Sequence, residues 1–423
     1  MMDNNVKQVY SSIFIEESGI QVLCSEYYNT RFNIIYQDKF PCDGLIDYKV
    51  LDENKFALSI KTALDAACQK IGASIKKVIL VLPPFNFKKF NINANVSTVN
   101  GTIEKSDIAK ALSDALQSNV SNDLVVTNAY VKKYTINGIA TRKNPIGEKC
   151  TDFYMNIDLL CIDKTVVYNY IKAINISGYD VLDITINNYS IAKESLLIDK
   201  SLNKNIILLD IGRTHTYLTL LKNASIQTCE IIHSGINNFI QDVYNLYKID
   251  PSTLIDLVKY SDFNLENEDD VAYAWDENNN DGSNTLTFNQ LFLSFKVDLQ
   301  LFVDNLRSMC KPIFENGDTS VVLTGEGAEM ISLVEELKNT MNCDFKIYSP
   351  DDIGIRNPSF SAIFGSFYIY KEKADLNNLN VSCIDLYEYN NSVDIQTDKD
   401  DIGLTITTRI KKLFNDYLSK GGK

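Results

Sequence analysis

Residues 206–221 read IILLDIGRTHTYLTLL. An apolar run closes on Asp210, a bend follows through Gly212, Arg213 and Thr214, and a second apolar run opens at Tyr217. A strand–turn–strand with Asp-x-Gly at its bend suits phosphate binding. The carboxylate of Asp210 can hold a hydrated Mg2+, Gly212 lets backbone amides approach an oxyanion, and the hydroxyl of Thr214 can donate to phosphate. Taken alone, the pattern is weak and is more often that of an ordinary turn. Residues 321–330, VVLTGEGAEM, place Gly325 and Gly327 between a strand and a helix. Two close glycines there admit a flat ligand or a phosphate near the helix start. Alone, this too is a tight turn.

Working outward, short β-branched runs at Val9–Ile15, Ile20–Ser25 and Phe32–Ile35 predict strands. Phe56–Ile71 predicts an amphipathic helix, with Phe56, Ile60, Ala63, Leu64, Ala67 and Ile71 on one face. Val78–Leu82, stopped by Pro83 and Pro84, reads as a buried strand of an α/β sheet. The character changes over 84–163. A polar stretch, a helix at Ser106–Leu116 capped by Ser106, and strands at Leu124–Tyr134 and Phe153–Ile162 predict an inserted α+β module. Helix Lys164–Ile174, strand Gly178–Ile186 and helix Ser190–Ile198 follow. A second strand-rich unit opens at Asn205–Leu209 and continues through Tyr217–Leu221 and Ile226–Ile232. Helical stretches then flank an acidic, Asn-rich segment from Asp262 to Asn284. Strand Ser320–Leu323, helix Met330–Met341 and the apolar helix Ser359–Tyr370 come last. Two such units, each with glycine turns after strands, predict a duplicated α/β fold. Residues 375–403 are polar and acidic without a period and read as a linker.

The chain has 423 residues, of which 45% are hydrophobic, enough for two or three cored units. Its formal net charge of -14 repels nucleic acid, so no nucleic-acid partner is expected. Nine scattered cysteines without a CxxC pair give neither a disulfide framework nor a zinc signature. The two histidines, His215 and His233, are too few for a His-based metal site. No signal peptide and no membrane-spanning run is expected.

The spacing of the two glycine segments fits the actin/Hsp70-like ATPase superfamily, and four further stretches point to one branch. NPIGEKCTDFYMNIDLLCID (144–163), GYDVLDITINNYSIAKESL (178–196), IHSGINNFIQDV (232–243) and IRNPSFSAIFGSFYIY (355–370) resemble, in order, segments of the bacterial cell-division FtsA family. The resemblance implies an actin-like two-lobed ATPase fold with duplicated mixed sheets and an inserted α+β subdomain. Lobe I would take its large subdomain from 1–83, 164–204 and 359–374, with the insertion at 84–163. Lobe II would take its large subdomain from 205–233 and 320–358 and its small one from 234–319. The resemblance also implies self-association into filaments, binding of the C-terminal tail of the tubulin-like protein FtsZ, and attachment to the inner face of the cytoplasmic membrane at the division site.

It further implies an ATP and Mg2+ site at Ser18, Asp210, Gly212, Arg213, Thr214, Gly235, Asp256, Lys259, Gly325, Glu326 and Gly327, with Asp210 as the metal residue. Several of these depart from the family pattern. The first phosphate loop carries Phe14, Glu16 and Glu17 before Ser18, where Asp-x-Gly is usual. An uncompensated charge about 4 Å from phosphate costs about 4 kcal/mol at a dielectric near 20, roughly a thousandfold in affinity. Arg213 and Thr214 replace glycines, and Arg213 would offset Glu16, through phosphate or directly. Glu326 replaces the middle glycine of the adenine loop, at a strain of about 1–3 kcal/mol if φ is positive there. Lys259 matches the family, whereas Asp256 stands one methylene short of its usual Glu. A degenerate ATPase fold is therefore expected, with hydrolysis lost and nucleotide affinity weak or absent.

Residues 404–419, LTITTRIKKLFNDYLS, set Ile406, Ile410, Leu413, Phe414, Tyr417 and Leu418 on one helical stripe. Arg409, Lys411 and Lys412 lie opposite it. A greasy, basic helix at 404–423 suits an anionic membrane surface, and a helix docked on the protein's own core or on a partner is the bland alternative. The leading expectation is a scaffold that links FtsZ to the membrane. The alternatives are an active ATPase with nucleotide-dependent polymerisation, or an actin-like protein of type IV pilus assembly.

Overall fold

The structure is a computed structural model and describes residues 7–118, 120–260, 270–276, 283–352 and 354–392. The tail stripe with Arg409, Lys411 and Lys412, and most of the acidic segment, lie outside the described residues.

Two five-stranded sheets share one plan. In the first, strands run in the order Asp180–Ile186, Lys77–Leu82, Gln8–Glu16, Gly19–Tyr28, Arg31–Phe40. The last three form an antiparallel meander, and Gln8–Glu16 pairs in parallel with Lys77–Leu82. The second sheet repeats the order with Asp344–Ile347, Thr319–Thr324, Asn205–Ile211, Thr216–Leu221 and Ile226–Ile232. Here too a three-stranded meander meets a parallel pair along its first strand. The central strands are buried along their whole length, which is why they read as unbroken apolar runs. This is the duplication expected from the sequence.

Helix Glu53–Ile71 covers the first sheet with the predicted face, Phe56 through Ile71, buried. Asp52 caps it by accepting the amides of Asn54 and Lys55, an interaction of about 1 kcal/mol, and Gly72 at φ 73° ends it. A separate antiparallel sheet, in the order Lys88–Ser97, Asp152–Asp163, Leu124–Ile136, Ile139–Thr141, packs on helix Lys105–Leu116 around Phe153, Met155, Ile157 and Leu159. Ser106 does not cap this helix. Glu104 takes the N-cap position, and Asp107 reaches back to accept its amide at 2.9 Å. The helix expected over Ser190–Ile198 is two pieces, Asn187–Glu194 and Leu197–Lys200, parted at Leu196 in the left-handed region.

In lobe II, helices Ile236–Tyr247, Pro251–Tyr260 and Phe288–Phe314 close a second core over the sheet. Among the described residues, no helix is long and apolar enough to cross a membrane.

The stretch after helix Ser361–Leu376 differs from the linker expected at 375–403. Residues 377–392 lie against lobe I, with Cys383, Ile384 and Tyr389 buried. The Cys383 amide donates to Val9 at 2.7 Å, and its carbonyl accepts from Lys76 at 2.8 Å. Three buried side chains, two of them adjacent, in a polar stretch give too short a signal to read as a docked edge.

Candidate functional site

The bend of residues 212–215 is closed by the Gly212 amide donating to the His215 carbonyl at 2.9 Å. It sits at the cleft end of the second sheet, beside the start of helix Ile236–Tyr247. Gly235 permits this contact, since a Cβ there would fall 2.5 Å from the Gly212 carbonyl oxygen and 2.7 Å from that of Arg213. The amides of Ile236 and Asn237 donate to those same two carbonyls, at 3.1 and 2.8 Å. They are thereby turned to the loop rather than to an anion. Gly325, at φ 83°, holds the other loop so close that a Cβ would lie 2.5 Å from Asp210 Oδ1. Gly327 is packed on Ile211 in the same way.

Asp210 is buried beside Asn187, whose amide donates to it at 3.3 Å. Burial and then the nearby Glu16 push its pKa up from the usual 3.8 to about 7. Glu16 is itself buried and its pKa is raised by desolvation, a rise that the hydroxyl of Tyr217 opposes by donating to Oε1. Tyr217 pairs in turn with Tyr48 at 2.7 Å, so a hydroxyl chain links the two lobes. Ser18 lies 3.4 Å from Glu16 Oε2. Phe14 belongs to the lobe I core.

Glu326 occupies the centre of the cleft and is buried. Lys39 of lobe I pairs with its Oε1, while Arg213 Nε and Lys259 Nζ approach Oε2 at 2.8 and 3.4 Å. Lys259 also meets Glu329 at 2.8 Å. Burial alone would raise the Glu326 pKa, but Lys39, Lys259 and Arg213 outweigh it and hold it at about 2. Burial likewise works against the Lys259 charge, and Glu326 and Glu329 overcome it. Arg213 thus answers Glu326 and not Glu16, because the 212–215 bend turns it toward the 325–329 loop. The strain considered for Glu326 does not arise, since positive φ is confined to Gly325 in that loop. Asp256 is exposed on helix Pro251–Tyr260, and Thr214 hydrogen-bonds His215 Nδ1 at 2.8 Å.

Sequence comparison finds similarity to proteins named for cell division. The cell division protein FtsA of Bacillus subtilis is 22% identical over 372 residues, 85% of this chain and 82% of its own. FtsA of Staphylococcus epidermidis is 23% identical over 405 residues, 92% of this chain and 85% of its own. The chain is thus similar to FtsA proteins, at low identity, over most of its length. No family model matches it. Among solved structures, the PilM–PilN type IV pilus biogenesis complex superimposes with a TM-score of 0.55 at 11% identity, over 85% of this chain and 98% of that one. That likeness concerns the fold, which is the actin-like two-lobed ATPase fold.

Against the FtsA pattern, the structure gathers Ser18, Asp210, Gly212, Arg213, Thr214, Gly235, Lys259, Gly325, Glu326 and Gly327 around one cleft and leaves Asp256 on its exposed flank. For a Mg-nucleotide the donor set fits poorly. The three cations nearest the cleft centre already face Glu326, and Glu16 and Asp210 offer no positive charge where phosphate would lie. Sequence reading missed Lys39, Tyr48, Asn187, Tyr217 and Glu329. Asn187, Tyr217 and Glu329 lie inside the quoted stretches but away from their motif positions, and Lys39 and Tyr48 lie outside them. The one available signal was Glu326 itself, since a carboxylate in an adenine loop calls for cationic partners.

Proposed function

We propose that this chain is a cell-division scaffold that self-associates and tethers FtsZ to the inner face of the cytoplasmic membrane, with ATP turnover weak or lost. Similarity to proteins named for cell division supports the role. The basic, apolar-striped segment at 404–423 supports the membrane contact. The observation that carries the non-catalytic part is the Glu326 node, in which Lys39, Arg213 and Lys259 neutralise a protein carboxylate where a nucleotide would need free positive charge. Bridged by Lys39 and by the Tyr48–Tyr217–Glu16 chain, the lobes hold together through their own side chains.

Calorimetric titration with Mg-ATP, paired with a phosphate-release assay, tests the cleft. No heat and no release are expected. Micromolar binding with release would make the protein an active ATPase instead. For the tether, vesicles of anionic lipid should sediment the full chain together with the FtsZ C-terminal peptide. A chain truncated at Leu404 should keep the peptide and lose the vesicles, and equal vesicle binding by both would remove the tail from the mechanism.

A further inference from the structure

The two histidines of the chain stand side by side, and a carboxylate from the opposite lobe meets them. Thr216 pairs with Ile232 in the lobe II meander, so His215 and His233 occupy the next opposed positions, their rings 5.1 Å apart. Asp47 comes from lobe I, at the tip of the small hairpin Leu45–Ile46/Lys49–Val50. Asp47 and Tyr48 both sit at positive φ, 48° and 60°, the tight two-residue bend of such a hairpin. Glu17 holds the tip by accepting the Asp47 amide at 3.2 Å, and the Tyr48 ring lies against His215 at 4.9 Å. One donor atom each from Asp47, His215 and His233 falls within 4.8 Å of the others.

We propose that Asp47, His215 and His233 form a divalent transition-metal site, of the kind Zn2+ takes, that latches lobe I to lobe II. The proposal is independent of the division role. Asp47 Oδ1 and His233 Nδ1 are 3.2 Å apart. Two donors at about 2.0–2.1 Å from a tetrahedral Zn2+ are separated by roughly 3.3 Å, so this edge is already at coordination length. Thr214 Oγ1, 2.8 Å from His215 Nδ1, fixes that ring and leaves Nε2 to face the ion, the usual arrangement behind a metal-bound imidazole. His233 and Asp47 are both exposed, which lets the ion enter and lets water complete the coordination. Two histidines alone are too few, as the sequence reading held. The third ligand comes from a residue 168 positions from His215 in the chain, reached only when the lobes meet.

With only two histidines present, ring-15N-histidine labelling of the full chain reports this site without interference from the cysteines. Titration with Zn2+ should shift both ring signals together and saturate at one equivalent. His233→Gln and Asp47→Asn change exposed side chains, so folding can be verified by circular dichroism. In each, Zn2+ should move the remaining signals only at concentrations about tenfold or more above those for the wild type. Thr214→Val should weaken binding by about tenfold while leaving both rings responsive. Ring signals unmoved by Zn2+, a shift of one ring alone, or unchanged affinity in Asp47→Asn would each overturn the proposal.

Discussion

The two hairpin bends that face each other across the cleft stand on the same five-strand plan and differ in almost everything else. In lobe I the bend is two residues, Glu17 and Ser18, with Glu16 paired to Gly19. In lobe II it is four residues, with Ile211 paired to Thr216. The first bend presents a buried carboxylate, the second a guanidinium. Neither charge is answered by the facing bend. Glu16 is met by Tyr217, and Arg213 by Glu326. The comparison teaches that the sheet cores set where each bend sits, while the bends were free to change chemistry provided every buried charge found a partner elsewhere.

The largest test breaks the lobe II side. Glu326→Gln leaves Lys39, Arg213 and Lys259 facing one another, and should destabilise the protein by about 3–5 kcal/mol in urea unfolding at pH 7. The folded pKa of Glu326, about 2, lies below its usual 4.5, so its contribution is present above about pH 4.5 and is lost as the pH falls toward 2. The difference between mutant and wild type should shrink over that interval. A constant difference would mean that the charge is not the cause.

Breaking the lobe I side should cost less. Tyr217→Phe removes the donor to Glu16 and the partner of Tyr48 at once, for about 2–3 kcal/mol, read in the same unfolding experiment. A loss below 0.5 kcal/mol, roughly the floor for a typical hydrogen bond, would show the hydroxyl chain to be incidental.

Asp210 supplies a test of opposite sign. Its folded pKa, about 7, is above the usual 3.8, so the penalty of ionising it in the fold is absent below about pH 4, grows as the pH rises, and is complete above about pH 7. Asp210→Asn should therefore stabilise the protein by about 2 kcal/mol at pH 8, half of what such a shift represents, and by almost nothing at pH 4. Thermal melts at the two pH values decide it. The smallest effect sharpens the contrast between the bends. Ser18→Ala removes only a 3.4 Å contact and should change stability by less than about 0.5 kcal/mol, with no change in nucleotide binding. A nucleotide affinity that falls with this substitution would show that the first bend still holds phosphate.

Much of the scaffold was legible in the sequence for a physical reason. Strands such as Val78–Leu82 are buried on both faces, and helix Glu53–Ile71 on one, so burial writes itself into the residue pattern. The glycines were legible as well, because Gly235 and Gly325 mark approaches that a Cβ would block. The partners were not. Lys39 and Glu326 are 287 residues apart, and nothing in YQDKF distinguishes a cleft lysine from a surface one. Similarly, Ser106 looked like a cap because serine prefers that position, but the preceding Glu104–Asp107 reciprocity starts the helix earlier. His215 and His233 stand just outside the paired ends of two strands that were both anticipated, and their opposition follows once the register is known.

The docking of residues 377–392 has a mechanical consequence. Ser382 and Cys383 are stitched to Val9 by three hydrogen bonds, at 3.1, 3.0 and 2.7 Å. Val9 is the second residue of the strand that ends on Glu16. A pull on the chain beyond Ser392 would load that strand along its axis, as a cord loads the rod it is tied to. Tension at the far end of the protein and the proton occupancy of a buried acid would then be read on the same nine-residue bar.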